Sequence, residues 1–329
     1  VVLLVLACAR PPAPSPSGPP GDSAGHSGHH PHHDSAATGH SGGTTPFDGP
    51  ALLSAAGLYQ DLAGEVLADG VVETTPRFPL WSDGSDKTRW LWVPPGGQID
   101  TTDPDRWSFP VGTLAFKEFR VGGRRVETRR LAKETHGWEM VSYLWRADGT
   151  DADAVPEGVV DAFGTGHDVP DRDTCARCHD GPADLLLGVD AVQLDAAQQQ
   201  ALPLTAPVAG DVPGDAATQA ALGYLHGNCG GCHRPGALAG DRTTLWLELA
   251  VGLTDPAAAA AHVTGVDAPT RHEIDGTTVS VVPGDPDASQ LYVRMRLRGL
   301  EGMPPVGSGV VDDAGSALVG GWIESLAAP

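Results

Sequence analysis

The chain has 329 residues, more than one hydrophobic core usually organises, so two folded units with tails are the starting expectation. Lys and Arg total 21 against 42 Asp and Glu, a net charge of −21, which argues against nucleic acid as a partner. Beyond the first few residues no apolar run approaches the length that spans a bilayer, and 43 Gly with 29 Pro predict short elements and long loops.

Residues 1–46 read as an address and a tether. Val1–Ala7 are apolar and lead into Cys8, a pattern that resembles the lipobox of bacterial lipoproteins, whose cysteine is lipidated. The segment is shorter than a complete signal peptide and has neither an initiator Met nor a basic leader, so a truncated start is expected. The alternative is an apolar tail with a free thiol. Six of the ten residues from Pro11 to Pro20 are proline, and Gly, Ser and His dominate to about Gly43, predicting an extended linker. His26, His29, His30, His32, His33 and His40 make this tract either a loose site for a divalent transition metal or a polar spacer. A lipid on Cys8 predicts a membrane-tethered protein of the periplasm or cell surface, with Ala9-Arg10 pointing to the outer membrane.

Residues 47–165 are expected to form a β-rich domain. Six of the eight tryptophans fall here, with β-prone runs at Arg89–Val93, Leu114–Val121 and Met140–Trp145. Gly122-Gly123 predicts a two-residue hairpin, whereas Pro50–Leu67 is more helix-like. Lys117 to Lys133 holds seven basic and two acidic residues. That excess either docks an acidic group, haem propionates included, or is an exposed strand face paired with the chain's carboxylates.

Four of the five cysteines fall in two motifs, Cys175-Ala176-Arg177-Cys178-His179 and Cys229-Gly230-Gly231-Cys232-His233. Both match the attachment pattern of c-type haem, in which two thiols on one helical turn bond the porphyrin and the following His meets the iron. A four-sulfur zinc site would need neither histidine, and a thioredoxin-like or disulfide reading leaves both unexplained. Two covalent haem c groups are therefore expected, in segments 166–215 and 216–329. The cofactor-binding residues are Cys175, Cys178, His179, Cys229, Cys232 and His233.

A helix over Ala216–Asn228 runs into the second motif, and Asp312-Asp313 starts a closing helix with Leu318, Trp322 and Leu326, along with Val319 and Ile323, on one face. Between them, Met303 in Gly302-Met303-Pro304-Pro305 is the expected sixth ligand of the iron on His233. An insertion spans about Ala237 to Val282, and Pro283-Gly284-Asp285-Pro286 caps a short helix through Leu297. For the iron on His179 the candidate sixth ligands are His167, taken first, then His136, Met140 and His226. An open position there would admit peroxide or a small gas.

With these residues in place, the sequence resembles a family of bacterial dihaem c-type cytochromes, many of them predicted lipoproteins. The resemblance rests on Phe78-Pro79-Leu80-Trp81-Ser82-Asp83-Gly84-Ser85-Asp86-Lys87-Thr88-Arg89-Trp90, on Phe109–Thr113 with Lys117-Glu118-Phe119, and on the first haem motif. It continues through Leu187-Gly188, Gln193-Leu194, Tyr224–Pro235 and Pro283–Pro286. It implies two covalent haems and electron transfer with other periplasmic or membrane redox proteins. The expected fold is α+β, a β-rich N-terminal domain followed by a mostly α-helical cytochrome c-like haem domain. The alternatives are a peroxidase-type haem enzyme with one open iron and a ligand-binding module with accessory haems.

Overall fold

Alternating apolar and polar residues build the centre of the molecule. The computed structural model describes residues 47–179, 184, 186–237, 239–240 and 242–326; Cys8 and the His-rich linker lie outside them. Tyr59–Asp61 (β1) and Val66–Leu67 (β2) form a small antiparallel pair. A second sheet then runs in simple chain order: Val71–Glu73 (β3), Asp86–Trp92 (β4), Leu114–Val121 (β5), Arg124–Glu134 (β6), Gly137–Trp145 (β7) and Ala152–Ala154 (β8). All neighbours are antiparallel, and Gly122-Gly123 makes the expected β5–β6 hairpin.

The two faces of this sheet bury different partners. One carries Trp90, Phe116, Val141, Tyr143 and Trp145, and packs on Leu53, Ala56, Leu58 and Tyr59. The helix expected over Pro50–Leu67 is therefore not formed. A 3₁₀ turn at Leu53–Ala55 is followed by Gly57 at φ +92°, a left-handed conformation that stops a helix and lets Leu58 and Tyr59 turn onto the sheet. The opposite face buries Leu91, Ala115 and Leu131 against Ile99, Trp107, Phe109, Leu186, Val189, Ala191, Leu194 and Leu202.

The mostly helical, cytochrome c-like second half is not what folds. The six-stranded sheet dominates the architecture, and helix accounts for 23% of it. The helices among the described residues are Arg172–His179 (α1), Ala196–Gln200 (α2), Ala216–Leu225 (α3), Ala260–Gly265 (α4), Gln290–Arg296 (α5) and Asp313–Ser325 (α6). Between α3 and α5 lie loops, α4 and a hairpin of Pro269–Ile274 (β9) with Thr277–Val279 (β10). Proline and positive-φ glycine interrupt helix repeatedly through this region, as at Pro235, Gly236, Gly252, Pro256 and Gly276.

Helices α2, α3 and α6 each start at an aspartate cap, whereas α4 and α5 have no side-chain cap. Asp215 accepts the Thr218 amide at 2.9 Å and Asp312 the Gly315 amide at 2.9 Å. Helices α3 and α6 pack on each other. A Cβ on Gly315 would fall 2.2 Å from Tyr224 Cζ, so glycine is what allows the approach. Val319, Trp322 and Ile323 are buried, while Leu318 faces solvent.

From Phe47 onward the chain forms one compact unit. Its sheet and helical parts are joined by Phe78, whose amide donates to Gln193 Oε1 at 3.0 Å, and by the Trp81 amide, which donates to Asn228 Oδ1 at 2.7 Å. Among the described residues no helix is long and apolar enough to cross a membrane.

Candidate functional site

The first Cys-x-x-Cys-His motif lies on α1, which begins with the Thr174 amide donating to Asp171 Oδ1 at 2.7 Å. One helical turn presents Cys175 and Cys178 together, both as free thiols and both half-buried, and His179 follows. This helix packs against β7 and buries none of its eight residues fully. Beneath it Ser142 lies beside Cys175, and Arg129 lies near both thiols. Burial pushes the Cys175 thiol up to about 11, against the pull of Arg129.

The second motif begins in a π-helical turn, His226–Gly230, that continues α3 and carries Cys229. That thiol packs on the cluster formed by α3, α5 and α6, and burial pushes it up to about 12. His233 is oriented through its ring: Nδ1 donates to the Leu245 carbonyl at 3.1 Å, which leaves Nε2 as the lone-pair nitrogen. Burial lowers its proton affinity, so the ring is held neutral, the form that ligates metal. Arg234, 1% exposed, donates from Nε to the Gly231 carbonyl at 3.2 Å.

The fold brings the two motifs into contact. Cys178 and Cys232 lie side by side, close enough to perturb each other's titration. The neighbouring Cys232, together with the nearby Arg129, Lys117 and Arg177, makes Cys178 the more acidic partner, whereas Cys232 is pushed up by Cys178 and by burial. Among the described residues no group of three or more His, Cys, Asp or Glu is placed to hold a metal ion, so the four thiols are not gathered as a tetrahedral zinc set.

The candidate sixth ligands fall in distinct settings. His167 is 8% exposed, and its Nε2–H donates to Glu127 Oε2 at 2.8 Å. Its loop is tightly held: the Ala162 amide donates to the His167 carbonyl at 2.8 Å, and Phe163 stands at φ +59°. Such a conformation is costly for an aromatic residue and persists because surrounding contacts enforce it, here the Arg124 guanidinium 3.8 Å from the ring centroid. His226 is engaged at both nitrogens, Nδ1 accepting from the Leu249 amide at 3.0 Å and Nε2 donating to Asp190 Oδ2 at 3.3 Å. His136 is exposed at the β6–β7 turn, and Met140 packs in the apolar cluster with Leu131.

Met303 is half-buried on the loop after α5, outside the apolar cluster that holds Cys229. Its amide donates to the Arg294 carbonyl at 2.8 Å. The loop beyond it is clamped by Asp83, whose carboxylate accepts from the Gly309 and Val310 amides, each at 2.9 Å, and from Ser308 Oγ at 2.8 Å. Trp81 Nε1 donates to the Val310 carbonyl at 3.1 Å.

Sequence reading missed Glu127, Arg129 and Ser142, the residues under α1, and the Leu245 carbonyl that aims His233. The alternation Lys117-Glu118-Phe119 and Glu127-Thr128-Arg129 was the available signal, since it sorts these side chains onto opposite faces. Compared with protein-family models, with curated proteins and with solved structures, the chain matches none.

The donor set fits covalent haem c. Each motif offers two free thiols on a helical turn, and His233 has its second nitrogen satisfied by a carbonyl, the arrangement that fixes a ligating imidazole.

Proposed function

We propose that this protein is a dihaem c-type cytochrome that passes single electrons between redox partners. The observation that carries the reading is His233, half-buried, with Nδ1 tied to the Leu245 carbonyl, which leaves Nε2 as the nitrogen that would meet a metal. Haem c, when bound, supplies an iron that alternates between two oxidation states.

The chain's own residues do the rest. Cys175 with Cys178, and Cys229 with Cys232, would anchor the two groups, and His179 and His233 would ligate their irons. Burial of the Cys229 region excludes water, which favours fast electron exchange over reaction with solvent species. Met303 would supply the second protein ligand to the iron held by His233. His167 would supply the second protein ligand to the iron held by His179, with Glu127 as the carboxylate that fixes its ring. The closeness of Cys178 and Cys232 would hold the two groups near each other. Donor and acceptor are other periplasmic or membrane redox proteins, reached from a lipid anchor on Cys8.

Production with the cytochrome c maturation machinery and pyridine haemochrome quantitation tests this. Two haems per chain are expected, falling to one in Cys175→Ala/Cys178→Ala and one in Cys229→Ala/Cys232→Ala. A chain without haem that instead copurifies with zinc overturns the reading.

A further inference from the structure

One face of the central sheet carries an unexpected concentration of cations. Register places Arg89 opposite Lys117, Lys117 opposite Arg129, and Arg129 opposite Ser142. The adjacent row is Lys87, Phe119, Glu127 and Leu144. Four cations thus share this half of the face with a single carboxylate. Glu127 is already committed, to the Arg129 guanidinium at 2.6 Å and to His167.

Lys87 donates to the Leu80 carbonyl at 2.9 Å and has Asp86, Asp312 and Asp83 in its surroundings, so it stands at the better-compensated edge of the row. Arg89 and Lys117 are half-buried, and their side chains form no hydrogen bond or ion pair with any described residue. Lys117 lies over the Phe119 ring, 4.8 Å from its centroid. In a chain with 42 acids and 21 bases, self-pairing would leave carboxylates over, not cations. Burial and mutual repulsion push Lys117 well below the ordinary lysine range, and burial brings Arg89 down to about 10. A partly buried row of this kind is stabilised when an anion meets it.

The position of the row indicates which anion. Its Ser142 end lies beside Cys175. Strands are about 4.8 Å apart, so Arg89 on β4 is roughly 14 Å from Ser142 on β7. That distance is comparable to a porphyrin measured from its vinyl edge to its propionate edge.

We propose that Arg89 and Lys117, with Lys87 beside them, bind the propionate carboxylates of the haem attached at Cys175 and Cys178. This rests on the dihaem reading above. It makes the sheet half of the molecule a wall of the first haem pocket, and it gives the cationic row a partner of matching charge.

The test uses the haem-loaded protein in a spectroelectrochemical titration, with the first haem's wave identified as the one lost in Cys175→Ala/Cys178→Ala. In Arg89→Gln/Lys117→Gln both haems should remain. The first wave alone should shift toward the oxidised form, about tenfold or more in the redox equilibrium, the scale of unit charges several ångströms apart at an effective dielectric near 20. Its position should also become pH-dependent near neutrality, because propionates without their cations gain proton affinity. Arg89→Lys should restore most of the shift. Absence of haem at Cys175 and Cys178 overturns the dihaem reading and this inference together. Haem present, with the wave unmoved or both waves moved equally, overturns this inference alone. A wild-type wave that follows phosphate concentration at constant ionic strength assigns the row to a free anion and likewise overturns it.

Discussion

Replacing Glu127 by Gln removes the one buried carboxylate under α1 while nearly preserving its shape. Burial by itself raises this carboxyl's affinity for protons. Arg129, bonded at 2.6 and 3.0 Å, together with His167 and Ser142, more than offsets that and brings it down from its ordinary 4.5 to about 2. A difference of about 2.5 pH units corresponds to about 3 kcal/mol of folding stability. Because the folded value is the lower one, this stability is fully present above about pH 4.5 and is lost as pH falls through 2. Glu127 is 0% exposed, so solvent screening does not reduce the figure much. Urea denaturation at pH 7 should show Glu127→Gln about 3 kcal/mol less stable than wild type, and the gap should shrink to roughly half at pH 3. Arg129→Gln should show the same narrowing, since it removes the other half of the pair. A gap equally large at pH 3 and pH 7 would mean that the cost lies in packing, and the electrostatic account would be refuted.

Met303→Ala should retain two haems, lose the methionine-to-iron charge-transfer absorption and lower one reduction potential, because thioether ligation favours the ferrous state; an unchanged spectrum would remove Met303 from the iron. Asp83→Ala should weaken that absorption without abolishing it, since three hydrogen bonds holding residues 308–310 are lost while Met303 remains. Gly315→Ala should destabilise the fold by about 1–3 kcal/mol through overpacking against Tyr224, readable as a lower urea midpoint at unchanged spectrum. In the haem-free chain Cys178 should alkylate at lower pH than Cys175, because only the thiolate reacts; mass spectrometry of iodoacetamide-treated protein that gives the reverse order would exclude the Cys178–Cys232 pairing.

Local signals in the sequence translated into local structure. Leu114–Val121 forms a strand with the expected limits, Gly122-Gly123 turns the chain, and Asp312 starts the closing helix. The errors lie where a long-range partner decides. Over Pro50–Leu67 the spacing of Leu53, Leu58 and Tyr59 fits a helix about as well as it fits a segment draped on a sheet, and the sheet face wins because it buries all three. The second half contains genuine helices, but their caps say nothing about the chain between them, which is why a mostly helical domain was expected and a sheet-dominated fold results. Nor could the cationic row be read from sequence: Arg89 joins Lys117 only through the register of β4 on β5. The group that aims His233 is a backbone carbonyl, which leaves no trace in residue identity.

The segment from Phe78 to Asp83 shows how a stretch without reactive side chains can still govern a site. Phe78 packs against α3 so closely that a Cβ on Gly223 would fall 2.1 Å from its ring. Its backbone is held by Gln193, and the Trp81 amide is met by Asn228, the residue immediately before Cys229. Asp83 then clamps the loop that follows Met303. Six residues therefore fix three things relative to one another: the central sheet through β4, the turn that carries the second pair of thiols, and the loop that carries the assigned sixth ligand. Each contact is a hydrogen bond to backbone or a glycine-mediated approach, so the segment acts through position. Substitutions there should alter geometry around the thiols and Met303 before they alter the stability of the sheet.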